Sequence, residues 1–170
     1  MDFTICLSRG KNWFARMICW VSKSEVSHAV IVFDSDAFGT RMVLEAMKRG
    51  LVITPWEKWK KKNMVVAQYK VCVPERLLRK SFQDVGSYIG VKYGKVVRLF
   101  VNQLILRREP ASKNPFERST EMFCSEVVVR FLHRTGDPRF KHFNDYGNWW
   151  PEKLKLALEA SPLIIPVKED

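Results

Sequence analysis

The sequence predicts an α+β fold in a single domain. Runs of β-branched and apolar residues separated by turn residues fill most of the first half of the chain, and apolar residues at helical spacing occur towards both ends. This pattern is typical of helices that flank a mostly antiparallel sheet. The chain has 170 residues, 46% of them hydrophobic and 28% charged. It is therefore long enough for one domain and too apolar to be disordered over most of its length.

The predicted strands are apolar runs bounded by Asp, Gly or Ser. Residues 28–33 are apolar on both faces and rich in β-branched side chains, which predicts a buried strand. Residues 34–40 contain Asp and Gly, as turns do, and residues 41–46 are the expected partner strand. Further strands are predicted at residues 3–7, 51–54 and 64–73.

Capping residues and prolines mark the predicted helices. Asn12 can cap a helix whose apolar side includes Phe14, Ile18 and Val21. Pro74 is expected to open a helix that leads to a second one at residues 82–89. The last two helices are predicted to run from a cap at Ser119 or Thr120 to about His133, and from Pro151 to Ser161-Pro162.

The chain is strongly basic. It has 29 Lys and Arg against 18 Asp and Glu, which gives a formal net charge of +11. Basic residues cluster at positions 58–62 and at Arg107 and Arg108. An excess of this size favours contact with an anionic surface or polymer, such as a membrane surface or a nucleic acid. No segment reaches the ~20 apolar residues that a membrane-spanning helix needs.

The N-terminus has no basic stretch followed by a long apolar run, so no signal peptide is visible and a cytoplasmic location is expected. Reduced thiols are the corresponding expectation. The four cysteines are widely scattered, at Cys6, Cys19, Cys72 and Cys124. None belongs to a Cys-x-x-Cys pair, which argues against a zinc site, and no cofactor is predicted.

One cysteine has the position of a nucleophile. Cys124 lies near the start of its predicted helix, where the positive end of the helix dipole lowers the pKa of a thiol and can support an oxyanion. Its helical neighbours Val128 and Leu132 suit a buried core cysteine equally well. Cys6 and Cys72 lie inside apolar strands, and Cys19 lies in the middle of a helix.

The histidine partner follows partly from geometry. His133 is nine residues along the same helix as Cys124, about 13.5 Å away and half a turn round, and cannot reach it. His142 in an irregular loop stays possible. His28 opens a buried strand, where an imidazole needs a hydrogen-bond partner. A hairpin that closes around residues 36 and 37 would place His28 directly opposite Glu45.

Glu45 is unusual among apolar neighbours, and a carboxylate opposite His28 would orient the imidazole. The alternative is a solvent-facing strand residue. A register shift of one would place the two side chains on opposite faces.

These residues occur in an ordered set of short motifs. The set comprises Leu7-Ser8-Arg9-Gly10, Ser27-His28-Ala29-Val30-Ile31-Val32, Val43-Leu44-Glu45-Ala46, Tyr93-Gly94-Lys95, Phe123-Cys124-Ser125-Glu126-Val127-Val128 and Trp150-Pro151-Glu152-Lys153-Leu154. In this order it resembles the circularly permuted NlpC/P60 group of papain-like proteins. The resemblance implies a papain-like antiparallel sheet with flanking helices, in which the cysteine at a helix N-terminus packs against the sheet. It also implies Cys124 as nucleophile, His28 as general base and Glu45 as third member.

The expected function is therefore a cysteine hydrolase that cleaves amide bonds of the peptide type through a thioester acyl-enzyme. Two alternatives stay open: a lipid acyltransferase or esterase that uses the same residues, and an inert basic binding protein. The expected substrate is a peptide or a small acyl-containing molecule. Residues 1–170 are expected to form one permuted NlpC/P60-like domain, with an insertion or mobile cover at residues 94–118.

Overall fold

The computed structural model of the protein describes residues 2–22, 24–47, 50–89, 92–93, 121–122, 124–141, 149 and 151–167. Its strands are β1 (Phe3–Gly10), β2 (His28–Ser35), β3 (Thr40–Met47), β4 (Gly50–Pro55), β5 (Asn63–Val71), β6 (Lys92–Tyr93), β7 (Glu121–Met122) and β8 (Ile164–Val167). Six of them form one antiparallel sheet in the order β4-β3-β2-β1-β5-β8. The short strands β6 and β7 pair in parallel.

Five helices lie around this sheet in the described residues: α1 (Trp13–Ser22), α2 (Trp56–Lys60), α3 (Glu75–Gly86), α4 (Cys124–His133) and α5 (Pro151–Glu159). Asn12 caps α1 as predicted, because its Oδ1 accepts a hydrogen bond from the Ala15 amide at 2.8 Å. The predicted α+β fold with an antiparallel sheet and flanking helices is confirmed.

The sheet carries an apolar cluster on each face, because successive side chains of a strand point to opposite sides. The main cluster joins alternate residues of β1 and β2, including Phe3 and Ile31, to buried residues of α3, α4 and α5. The smaller cluster joins the other alternate residues, including Val30 and Val32, to Trp56 and Trp59 of α2. Trp59, which lies inside the predicted basic run 58–62, and Trp56, which lies just before it, are thus buried.

The hairpin of β2 and β3 has a different register from the predicted one. Ile31 pairs with Leu44 and Phe33 with Met42, two residues away from the predicted pairs. The reason is the turn, which holds a 3₁₀ helix at Asp36–Phe38 followed by Gly39 in the left-handed region at φ 59°. A shift of two residues keeps every side chain on its face, so His28 and Glu45 become diagonal neighbours instead of directly opposed ones.

Two helix predictions are wrong. A second helix at residues 82–89 is absent, because α3 continues as one helix to Gly86. The cysteine helix does not begin at residue 119 or 120, because Glu121 and Met122 form β7 and α4 begins at Cys124. The predicted cover at residues 94–118 lies outside the described residues. In the described part of the chain, no helix is both long enough and apolar enough to span a membrane.

Gly10 allows α1 to pack closely against the end of β1. A Cβ atom at Gly10 would lie 2.9 Å from the Cβ atom of Ala15, whereas one at Gly86 would meet nothing within 4 Å. We expect Gly10→Ala to lower the free energy of unfolding by about 1–3 kcal/mol through this overlap. The matched change Gly86→Ala should raise it by about 0.5–1 kcal/mol, because it restricts the unfolded chain. Urea unfolding of both variants checks the opposite signs, and equal effects would contradict the close packing.

Candidate active site

Cys124 is the first residue of α4, and its side chain is buried in the main cluster. The amides of the first helical turn lack partners within the helix and carry its positive end. The amides of Ala29 and Ser125 interact with the Cys124 sulfur and favour the thiolate. The predicted position of Cys124 near a helix start is therefore correct, and it is closer to the N-terminus than expected.

His28 is the first residue of β2 and contacts Glu45. The His28 Nε2 and Glu45 Oε2 atoms are 3.2 Å apart, and the two side chains are 17% and 5% exposed. The predicted contact therefore exists despite the different register. Because Nε2 faces the carboxylate, Nδ1 is the ring nitrogen left for Cys124, with which His28 interacts electrostatically.

Glu45 is held by two further donors that sequence reasoning missed. Trp59 Nε1 donates to Glu45 Oε2 at 3.1 Å, and Thr54 Oγ1 donates to Glu45 Oε1 at 3.2 Å. Trp56 and Trp59 had no part in the site predicted from the sequence. Their spacing of three was the available signal, because it places both indoles on one side of a helix, where a buried indole N–H needs an acceptor.

The charges of the site stabilise an ion pair between Cys124 and His28. Burial would lower the pKa of His28, but the Cys124 thiolate and the Glu45 carboxylate outweigh it and raise this pKa to about 10. Burial would likewise raise the pKa of Cys124, but His28 and the amides of Ala29 and Ser125 lower it. The arrangement favours a thiolate beside an imidazolium, which is the reactive state of a cysteine nucleophile.

Ser8 lies directly opposite His28 on the neighbouring strand β1. Its side chain is fully buried, and its hydroxyl has no hydrogen-bond partner among the described residues. The hydroxyl is small and polar, and it adjoins the imidazole on the face of the sheet that also carries Glu45. Sequence reasoning noted Ser8 in a motif but gave it no part in the site.

The other histidines and cysteines do not join this cluster in the described residues. His133 Nδ1 contacts the Phe140 carbonyl oxygen at 2.9 Å, and His142 lies outside the described part of the chain. Cys6 is buried in the smaller cluster, Cys19 is half-buried and Cys72 is exposed. No disulfide joins any of the four cysteines.

Comparison with solved structures finds chains of similar fold. The crystal structure of the metalloprotein yiiX from Escherichia coli O157:H7, DUF1105, matches this chain with a TM-score of 0.59 and 16% identity, over 100% of this chain and 97% of that one. At this identity the likeness shows the fold alone. No family model and no curated protein matches the chain.

The assignment to the circularly permuted NlpC/P60 group is therefore wrong. No model of that family matches, and the similar structure is described as a DUF1105 metalloprotein and not as a cysteine hydrolase. The motifs behind the assignment are short apolar runs with one or two polar residues, and strands and helices of unrelated chains also contain such runs.

The described residues do not fit a metal site. No group of three or more His, Cys, Asp or Glu is arranged to hold an ion in this part of the chain. The Glu45 oxygens accept hydrogen bonds from Thr54 and Trp59, and Glu45 Oε2 also lies 3.2 Å from His28 Nε2.

Proposed function

We propose that the chain is a thiol-dependent hydrolase that cleaves amide bonds of the peptide type. Cys124 is the nucleophile, His28 the general base and Glu45 the residue that positions the imidazole. The observation that carries the proposal is the contact of His28 with Glu45, at 3.2 Å between Nε2 and Oε2, beside a Cys124 at a helix start whose charge is coupled to that of His28. A cysteine at a helix N-terminus, packed on a sheet that carries its histidine, also supports a papain-like interpretation of the fold.

The reaction proceeds in two halves. The Cys124 proton passes to His28, the thiolate attacks the carbonyl carbon, and the new oxyanion is stabilised by amides at the start of α4. The C–N bond then breaks as the imidazolium gives its proton to the leaving amine, which leaves a thioester on Cys124. Water attacks this thioester while His28 accepts its proton, and the C–S bond breaks to release the acid.

Lipid ester cleavage or acyl transfer by the same residues is a second candidate. One observation favours it: α1, the helix that precedes His28, carries exposed Trp13 and Trp20. The two exposed indoles would provide an apolar surface for the acyl chain of a bound lipid. An inert basic binding protein is the remaining alternative, and the experiment below distinguishes it.

The test is capture of the acyl-enzyme. The protein is incubated with a panel of p-nitrophenyl esters and peptide p-nitroanilides, and intact-mass spectrometry with peptide mapping locates any acyl group. We expect acylation of Cys124 and turnover of at least one amide, with a loss of roughly 1,000-fold or more in Cys124→Ala. The matched control Cys72→Ala, which removes an exposed thiol, should keep wild-type rates. A wild-type protein that is neither acylated nor active on any substrate would contradict the proposal and favour the binding protein.

A further inference from the structure

Helix α1 exposes an unusual amount of aromatic surface. Trp13 is 74% exposed and Trp20 is 78% exposed, whereas Trp56 and Trp59 are 6% and 2% exposed. Trp13 and Trp20 are seven residues apart, which places them on one side of the helix about two turns from each other. Large exposed apolar side chains in a cluster mark an interaction surface more often than scattered ones do.

The same helix has the charge pattern of a segment that lies on a membrane. Its sequence, WFARMICWVS, contains one basic residue, the exposed Arg16, and no acidic residue. A helix with tryptophan on an apolar side and Arg or Lys around it is suited to the plane of the bilayer interface. Indole rings are enriched at this depth because one part is apolar and the N–H is polar.

A cluster of basic residues adjoins the start of α1. The Lys11 amide donates to the Lys62 carbonyl oxygen at 3.1 Å, and Lys11 Nζ donates to the Lys61 carbonyl oxygen at 3.2 Å. These contacts bring the turn after α2 next to the residues that precede Trp13. Lys11, Lys61, Lys62 and Arg9 are all exposed, as is Arg16 within α1. We call these five residues the basic rim.

We infer that the exposed face of α1 and the basic rim together dock the protein onto an anionic lipid bilayer. The tryptophans enter the interface, and the basic rim meets the anionic headgroups. Both contributions act on the same surface, because the rim adjoins the helix that carries Trp13 and Trp20. Single-stranded nucleic acids also bind where positive charge adjoins aromatic side chains, but they lie along a groove. Trp13 and Trp20 are instead exposed on one side of a helix, an arrangement suited to insertion into a bilayer interface.

Docking would also place the candidate site beside the membrane. The chain runs from β1 through α1 to His28, and Ser27, the residue before His28, accepts a hydrogen bond from the Gly10 amide at 3.1 Å. The two ends of the α1 connection are therefore tied together at the end of the sheet where β2 begins. The docking proposal does not rest on the proposed function, and Cys124→Ala should bind vesicles as the wild type does.

The test is co-sedimentation of the full chain with vesicles of phosphatidylcholine alone or of phosphatidylcholine with phosphatidylserine. We expect binding to the anionic vesicles at least tenfold tighter than to the neutral ones, and weaker as salt rises. Trp20→Ser and Trp13→Ser/Trp20→Ser should each weaken this binding roughly tenfold or more, and Lys61→Glu/Lys62→Glu should do the same. Circular dichroism checks that each variant is folded. If the double variant does not fold, the single variant Trp20→Ser provides the test.

Matched controls change the same chemistry elsewhere. Phe38→Ser removes an aromatic side chain that is 65% exposed, and Arg76→Glu/Lys80→Glu reverses two exposed charges on α3, which packs against the other face of the sheet from α2. Both should bind vesicles like the wild type. Equal losses in controls and test variants would overturn the proposal. So would vesicle binding that is unaffected by Trp20→Ser, or binding to a single-stranded RNA that is tighter than binding to the vesicles.

Discussion

At about pH 6, iodoacetamide should modify Cys124 roughly tenfold faster than the exposed Cys72, although Cys124 is buried. The lowered pKa of Cys124 makes a larger fraction of it thiolate at this pH than of an ordinary thiol, which is almost fully protonated. Burial and the weaker nucleophilicity of a low-pKa thiolate reduce this advantage without removing it. Mass spectrometry of tryptic peptides over a time course measures both rates in one sample.

The pH dependence has a defined sign. Because the pKa of Cys124 is lowered, its thiolate is lost only when the pH falls through that lowered value. Because the pKa of His28 is raised to about 10, the imidazolium is lost as the pH rises through this value. Between these limits the Cys124 rate should be flat, whereas the rate of an ordinary thiol climbs with pH.

His28→Ala is the decisive control for this result. Without the imidazolium, burial again raises the pKa of Cys124, so its modification at about pH 6 should fall to or below the Cys72 rate. His133→Ala, which removes an imidazole that contacts the Phe140 carbonyl oxygen instead of a thiol, should leave the Cys124 rate unchanged. Equal rates for Cys124 and Cys72 in the wild type would contradict the ion pair.

Glu45→Ala should lower the rate of acylation about a hundredfold or more, and Glu45→Gln by roughly tenfold. A glutamine oxygen can keep the hydrogen bonds from His28 and Trp59, and its amide can donate to Thr54, because a hydroxyl both donates and accepts. Glu45→Gln therefore removes the charge alone. Alanine also frees the imidazole and leaves the buried Trp59 N–H without an acceptor, which costs about 1–3 kcal/mol of stability.

The stability and activity effects of Glu45 can be separated. Trp59→Phe removes one donor to Glu45 while keeping an aromatic side chain in the smaller cluster, so it should reduce the acylation rate less than Glu45→Ala does. The pH profile distinguishes a positioning role from a merely structural one. The upper pH limit of Cys124 reactivity, which His28 sets, should fall in Glu45→Gln, because the carboxylate raises the His28 pKa. Unchanged rates and profiles in both Glu45 variants would contradict its positioning role.

The sequence predicted the elements that depend on interactions between residues close together in the chain. The Asn12 cap and the strand at residues 28–33 follow from side-chain chemistry within a few residues, and the structure has both. The strand β8 was missed, because Pro166 within a short apolar run argues against a strand. Its place at the edge of the sheet, paired only with β5 in the described residues, is where a strand tolerates proline.

Of the candidate site, the sequence predicted only contacts between pairs of residues on neighbouring strands. His28 and Glu45 follow from the alternation of side chains along two neighbouring strands, and this alternation survives the register error because the shift is an even number. Trp59 and Thr54 could not be placed in the same way, since their contacts with Glu45 depend on how α2 and β4 pack in three dimensions. The family assignment failed because it rested on motif order and not on packing.

The candidate site joins the two apolar clusters of the molecule. Cys124 belongs to the main cluster, whereas Glu45 is held through Trp59 by the smaller cluster on the opposite face. The His28 ring contacts Glu45 and interacts electrostatically with Cys124. The spacing between sulfur and carboxylate is thus set by the thickness of the sheet and the seating of a helix on each side of it. Loss of packing in either apolar cluster would separate the imidazole from Cys124 or from Glu45. The reactivity of the Cys124 thiol therefore reports whether both clusters are intact.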